Sequence, residues 1–135
     1  MENSVVIVDG VRTPMGGFQG DLNEVSMPEL GATVIKEAVN RAGVKPEEID
    51  EVIMGCILTA GAGQSPARQA MRKAGIPDAT GAIHVNKLCG SGMKAIMLGA
   101  NSIRSGEFAI VVAGGMDSMT NAPYVLLKAR GGYRM

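Results

Sequence analysis

Aromatic residues are nearly missing from this chain of 135 residues, which has no tryptophan and only two tyrosines and two phenylalanines. Recognition of single-stranded nucleic acid by base stacking therefore lacks its usual platforms. Neither sign of charge is in excess, because 13 Lys and Arg balance 13 Asp and Glu. A zero net charge leaves no electrostatic footprint for nucleic acid or an anionic membrane. Every apolar run falls short of the roughly 18 to 20 residues that span a bilayer. The start, Met1-Glu2-Asn3-Ser4, is acidic and polar, and the apolar run Val5–Val8 behind it is too short for the core of an export signal. The expected location is the cytoplasm. Two cysteines, Cys56 and Cys89, and one histidine, His84, are too few to close a zinc site and do not form a C-x-x-C pair. In a reducing compartment both cysteines are expected to be free thiols.

What the chain does have is 46% hydrophobic residues and 19 glycines, a composition suited to a core with close backbone approaches rather than to disorder. Apolar strand-like runs alternate with helical patterns. Ser4–Asp9 is a β-branched run ending at Asp9-Gly10, and the turn-rich loop after it carries Met15 and Phe18, which call for burial. Ser26-Met27-Pro28-Glu29 has the form of a capping box with proline in the first turn. From there Leu30, Val34, Ile35, Ala38, Val39 and Ala42 recur at helical spacing up to Gly43. A single turn at Lys45–Asp50 leads to a second strand, Glu51–Leu58. A second helix runs from Ser65-Pro66 to Gly75, with Arg68, Arg72 and Lys73 read as its solvated face. The third strand is Ala82–Asn86. The helix following Cys89 carries Met93, Ile96, Met97, Ala100 and Ile103 on one face and is expected to be the most buried of the three. It stops at Gly106, ahead of a fourth strand, Phe108–Gly115. Strand and helix alternating in this way predict an α/β fold, a largely parallel sheet with helices on both faces. Beyond Thr120 no element is completed.

The stretch Val85-Asn86-Lys87-Leu88-Cys89-Gly90-Ser91-Gly92-Met93-Lys94-Ala95 draws attention because an apolar strand stops at a cysteine just before a helix starts. A thiol beside the first N–H groups of a helix feels the positive end of its dipole, which favours the thiolate. Gly90 and Gly92 on either side of Ser91 keep the turn open to an incoming carbonyl. Two other readings stand beside this one. Gly90 to Ala95 fits the dinucleotide fingerprint G-x-G-x-x-G/A, but it follows the third strand rather than the first, and Glu107 lies before a strand rather than at the end of one. A buried, inert cysteine at a helix start satisfies the same spacing. Cys56, within a strand, reads as a small buried hydrophobe.

The Cys89 stretch resembles the nucleophile motif of the thiolases, and three more stretches extend the likeness. They are Val11-Arg12-Thr13-Pro14 with Gly17-Phe18, the segment Gly61–Gln69, and the segment Ala113–Thr120. The likeness is strongest to the branch that condenses two acetyl-CoA molecules to acetoacetyl-CoA or thiolyses it. It implies a thiolase-like N-terminal domain over residues 1–120, with four strands and three helices, and the beginning of a loop region at 121–135. It also implies an acyltransferase in which Cys89 takes the acyl group as a thioester, its backbone N–H serves as one donor of an oxyanion hole, and Gly90, Ser91 and Gly92 form the supporting turn. No metal or redox cofactor is implied, since the coenzyme A thioester is the substrate.

Thiolases place a nucleophile-activating histidine in a Gly-His-Pro motif and a second cysteine in a Cys-x-Gly-Gly motif, and neither motif occurs here. His84, on the strand before Cys89, is expected to be a core or interface histidine, and Cys56 does not match the second cysteine. The expectation is an incomplete domain, inactive without a second half. Its partners would be acyl-CoA, other copies of the chain or a C-terminal thiolase half, with no nucleic acid or membrane. A non-catalytic scaffold or partner subunit of the same fold is the alternative.

Overall fold

The first helix, α1 (Met27–Ala42), starts at the expected capping box, where Ser26 N–H donates to Glu29 Oε2 at 2.9 Å, and ends at Gly43 with φ 68°. In the computed structural model, which describes residues 4–134, this helix opens a regular alternation. Strand β1 (Glu51–Gly55) is followed by α2 (Pro66–Lys73), β2 (Gly81–Val85), α3 (Ser91–Arg104) and β3 (Val111–Gly115). The strands form one parallel sheet in the order β2-β1-β3, with Ile53 of β1 opposite Ile83 on one side and Ala113 on the other. Helices cover both faces, as the sequence pattern predicts: α1 packs on α2, and the pair lies on one face while α3 lies on the other.

Alternation along β1 divides its side chains between two environments. Val52, Met54 and Cys56 enter the core with Ile35 and Val39 of α1 and Ala67, Ala70 and Met71 of α2. Ile53 and Gly55 turn to the α3 side. The close approach of α1 to α2 and the β3 exit depends on Gly31, where any side chain would run into the Met116 sulfur.

The sheet has three strands among the described residues, not the four expected. Ser4–Asp9 forms no strand, and Val6, Ile7 and Val8 are exposed. A strand exists only where another shares its hydrogen bonds; both sides of β1 are taken by β2 and β3, and this run pairs with neither outer edge. Met15 and Phe18 are likewise exposed rather than buried.

Two strands are shorter than their apolar runs because side chains capture the backbone at their ends. Asp50 Oδ2 accepts the N–H groups of Ala109 and Ile110 at 2.7 and 2.9 Å, which delays the start of β3. Asp117 Oδ1 accepts those of Ile57 and Leu58 at 2.9 and 3.0 Å, which bends the chain away after β1. Arg68 and Arg72 are not simply solvated: Arg68 donates to the carbonyls of Asp78 and Thr80, and Arg72 pairs with the Asp78 carboxylate at 2.6 Å, so both hold the turn that leads into β2. No helix among the described residues is long and apolar enough to cross a membrane.

Candidate active site

All three strands point their carboxyl ends the same way, so the chain leaves β1, β2 and β3 along a single rim. In open parallel sheets this is the rim where ligands bind. Cys89 sits there, on the turn between Val85 and α3, with its thiol exposed. The helix starts at Ser91 with Gly90 as N-cap, so the cysteine precedes the cap by one residue.

The turn is closed by its own groups. Asn86 Oδ1 accepts the Leu88 N–H at 3.0 Å, and the Lys87 carbonyl accepts the Gly90 N–H at 3.1 Å. Ser91 Oγ accepts the Lys87 N–H at 2.8 Å and donates to the Leu88 carbonyl at 2.6 Å. The Cys89 N–H is not among the groups that close the turn. Leu88 has φ 51°, a left-handed conformation that costs a residue with a Cβ about 1 to 2 kcal/mol. The hydrogen bonds on either side of it offset that cost.

Beneath the turn, α3 meets the sheet backbone to backbone. A Cβ on Gly55 would lie 2.5 Å from the Gly92 nitrogen and 2.7 Å from Ser91 Cβ. Gly55 therefore sets how deeply the start of α3 sits, and Ser91, Ala95 and Gly99 are the buried residues of that helix. The expectation that α3 is the most buried helix is not met: Met93, Ile96 and Met97 are 71%, 45% and 51% exposed. Small residues fill the contact with the sheet, which leaves the large apolar ones on the outer side.

The other cysteine has the opposite environment. Cys56 is fully buried, and burial, followed by the nearby Asp117 carboxylate, pushes its pKa up to about 12. Its thiol is held protonated and out of reach of solvent, in agreement with the reading of a small buried hydrophobe. His84 is exposed on the outer strand β2 rather than in the core, opposite Met54 of β1.

Two surface concavities, of about 360 and 180 Å³, lie beside α2 and at the start of α1; Arg68 and Arg72 line the first, Met27 and Leu58 the second, and neither includes Cys89. Cys89 itself is exposed. Of the groups that shape the rim, Gly55 and Asp117 were not legible as such in the sequence. Glycine at the end of a strand was the only signal for the first, and nothing local distinguished the second from any turn aspartate.

Comparison with known proteins places these features in context. The family description "Thiolase, N-terminal domain" matches residues 5–135. The chain is 58% identical over 131 residues to the acetyl-CoA acetyltransferase of Cupriavidus necator, an alignment covering 97% of this chain and 33% of that protein. It is 51% identical over 131 residues to the acetyl-CoA acetyltransferase of Escherichia coli, covering 96% and 33%. With the mitochondrial acetyl-CoA acetyltransferase of Danio rerio it shares 47% over 136 residues, covering 98% and 32%. The chain spans about a third of the length of the curated relatives it matches.

Proposed function

The chain belongs to the thiolase family, and from that premise we propose that it is the nucleophile-bearing part of an acetyl-CoA acetyltransferase, with Cys89 as the acyl acceptor. The Cys89 sulfur, as thiolate, adds to the carbonyl carbon of acetyl-CoA. The bond from that carbon to the coenzyme A sulfur breaks, coenzyme A leaves and takes up a proton, and an S-acetyl cysteine remains. In the second half-reaction the enolate of another acetyl-CoA attacks the acetyl carbon and releases the Cys89 thiolate, giving acetoacetyl-CoA; thiolysis runs the same steps backwards. The Cys89 N–H is one donor to the developing oxyanion, a contribution that typically amounts to about 2.7 to 4 kcal/mol. The scheme uses no metal or redox nucleotide.

The observation that carries this reading is the contrast between the two thiols. Cys89 is exposed at the rim, in a turn whose closing hydrogen bonds among the described residues do not include one from its own N–H, while Cys56 is buried with a pKa of about 12. The open surface around Cys89 fits a substrate pocket whose other wall, with the groups that move protons, comes from the remaining two thirds of a thiolase. The apolar outer side of α3 fits cover by that same part or by another copy of the chain.

A chimera tests the reading. With this chain in place of the first third of the Cupriavidus necator relative, thiolysis of acetoacetyl-CoA is expected, and Cys89→Ser is expected to lower kcat by roughly 10³ or more. A folded chimera that keeps its rate with Cys89→Ser overturns the assignment. A folded but inactive one favours the scaffold role. The 135-residue chain alone is expected not to turn over acetoacetyl-CoA.

A further inference from the structure

We propose that the Ser91 hydroxyl is the clasp of the Cys89 turn, a positioning residue that sets the direction of the Cys89 thiol and N–H for acyl transfer. The inference rests on Cys89 being the acyl acceptor, and it assigns to a side chain what sequence patterns ascribe to the flanking glycines. Ser91 is only 4% exposed, which leaves its hydroxyl little access to water as a substitute partner. Both of its hydrogen-bonding capacities are used within the turn, on the Lys87 N–H at 2.8 Å and on the Leu88 carbonyl at 2.6 Å. Those two contacts bracket the left-handed Leu88 at φ 51°, and Cys89 is the next residue. The Leu88 carbonyl also accepts the Ser91 N–H at 3.0 Å, so one residue holds it with two donors.

The consequence is directional. With the Lys87 N–H and the Leu88 carbonyl tied to Ser91, the turn closes, among the described residues, without drawing on the Cys89 N–H. Without the hydroxyl, the Lys87 N–H loses its partner and Leu88 loses one of the two bonds to its carbonyl. Leucine prefers negative φ, and relaxation toward it rotates the peptide that carries the Cys89 N–H. Ser91 is itself seated by the β1 backbone, because Gly55 leaves no room for a side chain between them. The clasp is thus anchored to the sheet and not only to the loop.

The test compares two reactions at one sulfur. Acetylation by S-phenyl thioacetate forms a tetrahedral oxyanion and depends on the direction of the N–H; the sulfur–acyl bond to thiophenolate breaks as the Cys89 thioester forms. Alkylation by iodoacetamide forms no oxyanion and is the reference. Both are read on the 135-residue chain by mass of the Cys89 peptide, with labelling of Cys56 reporting any opening of the core. Ser91→Ala is expected to lower the ratio of acetylation to alkylation at Cys89 about tenfold, with Cys56 still unlabelled. An unchanged ratio with Cys56 protected overturns the proposal. If Ser91→Ala opens the core, the unsubstituted chain decides: Lys87 amide hydrogen exchange slowed at least tenfold from its free-peptide rate supports the clasp, and exchange at the free-peptide rate overturns it. Should Cys89 of the unsubstituted chain take no acetyl group, the chimera decides the acyl-acceptor reading, and the Lys87 exchange rate still decides the clasp.

Discussion

The two faces of the sheet are built from different materials. On the α1 and α2 face, Ile35, Met54, Met71 and Val52 are buried with almost no solvent contact, and Cys56 lies among them. On the α3 face the contact runs through Gly55, Gly92, Ala95 and Gly99, while Met93, Ile96 and Met97 of α3 are exposed. One face is a closed core; the other brings a helix start close to a strand at a fixed depth and leaves an apolar surface outside. The first gives the domain its stability and the second gives Cys89 its position. The difference teaches that hydrophobic content along a helix does not say which side of it meets the protein.

The sharpest way to break this comparison is to damage the closed face alone. Met71→Ala removes a fully buried side chain and is expected to cost about 2 to 5 kcal/mol of unfolding free energy in a urea titration. Iodoacetamide alkylation of Cys89, measured on molecules that remain folded, is expected to change less than twofold. A large change in reactivity would mean that the two faces are coupled. The reverse experiment comes next in size. Gly55→Ala puts a methyl group 2.5 Å from the Gly92 nitrogen, where only backbone can yield. A cost near the top of the roughly 1 to 3 kcal/mol range for overpacking is expected, together with an altered alkylation rate at Cys89. Stability and reactivity both unchanged would remove Gly55 from the site.

These faces were unequally legible in the sequence. Helix α1 could be read from its capping box to Gly43, because capping and 3.6-residue spacing are local properties. Cys89 at the strand-to-helix junction could be read for the same reason. The strand expected at Ser4–Asp9 was not formed, since a β-branched run states a preference for pairing but not the presence of a partner. Strands end short of their apolar runs where a distant carboxylate takes the backbone: Asp50 lies about sixty positions from the amides it caps, and Asp117 likewise. The Ser91 clasp depends on a left-handed Leu88, which no residue preference announces.

The two cysteines allow the comparison to be sharpened by pH. Burial raises the Cys56 pKa from 9.0 to about 12 in the folded chain. Below 9.0 the thiol is protonated in both states and its protonation does not affect stability. Between 9.0 and about 12 the unfolded chain releases this proton while the folded chain keeps it, so stability falls as pH rises. Unfolding free energy of the unsubstituted chain is therefore expected to decline more steeply in this window than that of Cys56→Ala, by up to about 1.4 kcal/mol per pH unit. Parallel alkaline limbs would place Cys56 in contact with solvent. An acid-side effect of the same kind comes from Asp50. Its two backbone donors hold its carboxyl below the usual range, so its contribution is present above that range and is lost as pH falls from there through the lowered folded value.

The smallest effect on stability is expected on the outer side of α3, and there the contrast between the faces predicts association instead. Met93 and Met97 are 71% and 51% exposed, so replacing both by serine removes little buried area and should leave the unfolding free energy of a monomer within about 0.5 kcal/mol. Yet large apolar side chains exposed together mark a place of contact. Val6, Ile7 and Val8 add unspent apolar side chains, and among the described residues the outer edges of β2 and β3 have no strand beside them. An unpaired edge offers a row of free N–H and carbonyl groups for another chain to join. Sedimentation of the unsubstituted chain across a concentration series is thus expected to show dimers or larger species. The Met93→Ser and Met97→Ser double variant should shift that distribution toward monomer at the same concentrations. If the variant associates as strongly as the parent, the contact runs through the sheet edges or the Val6–Val8 segment and the outer side of α3 is not part of it. A parent chain that stays monomeric at high concentration would show that the α3 face needs no cover, and the contrast between a closed and an open face would lose its functional meaning.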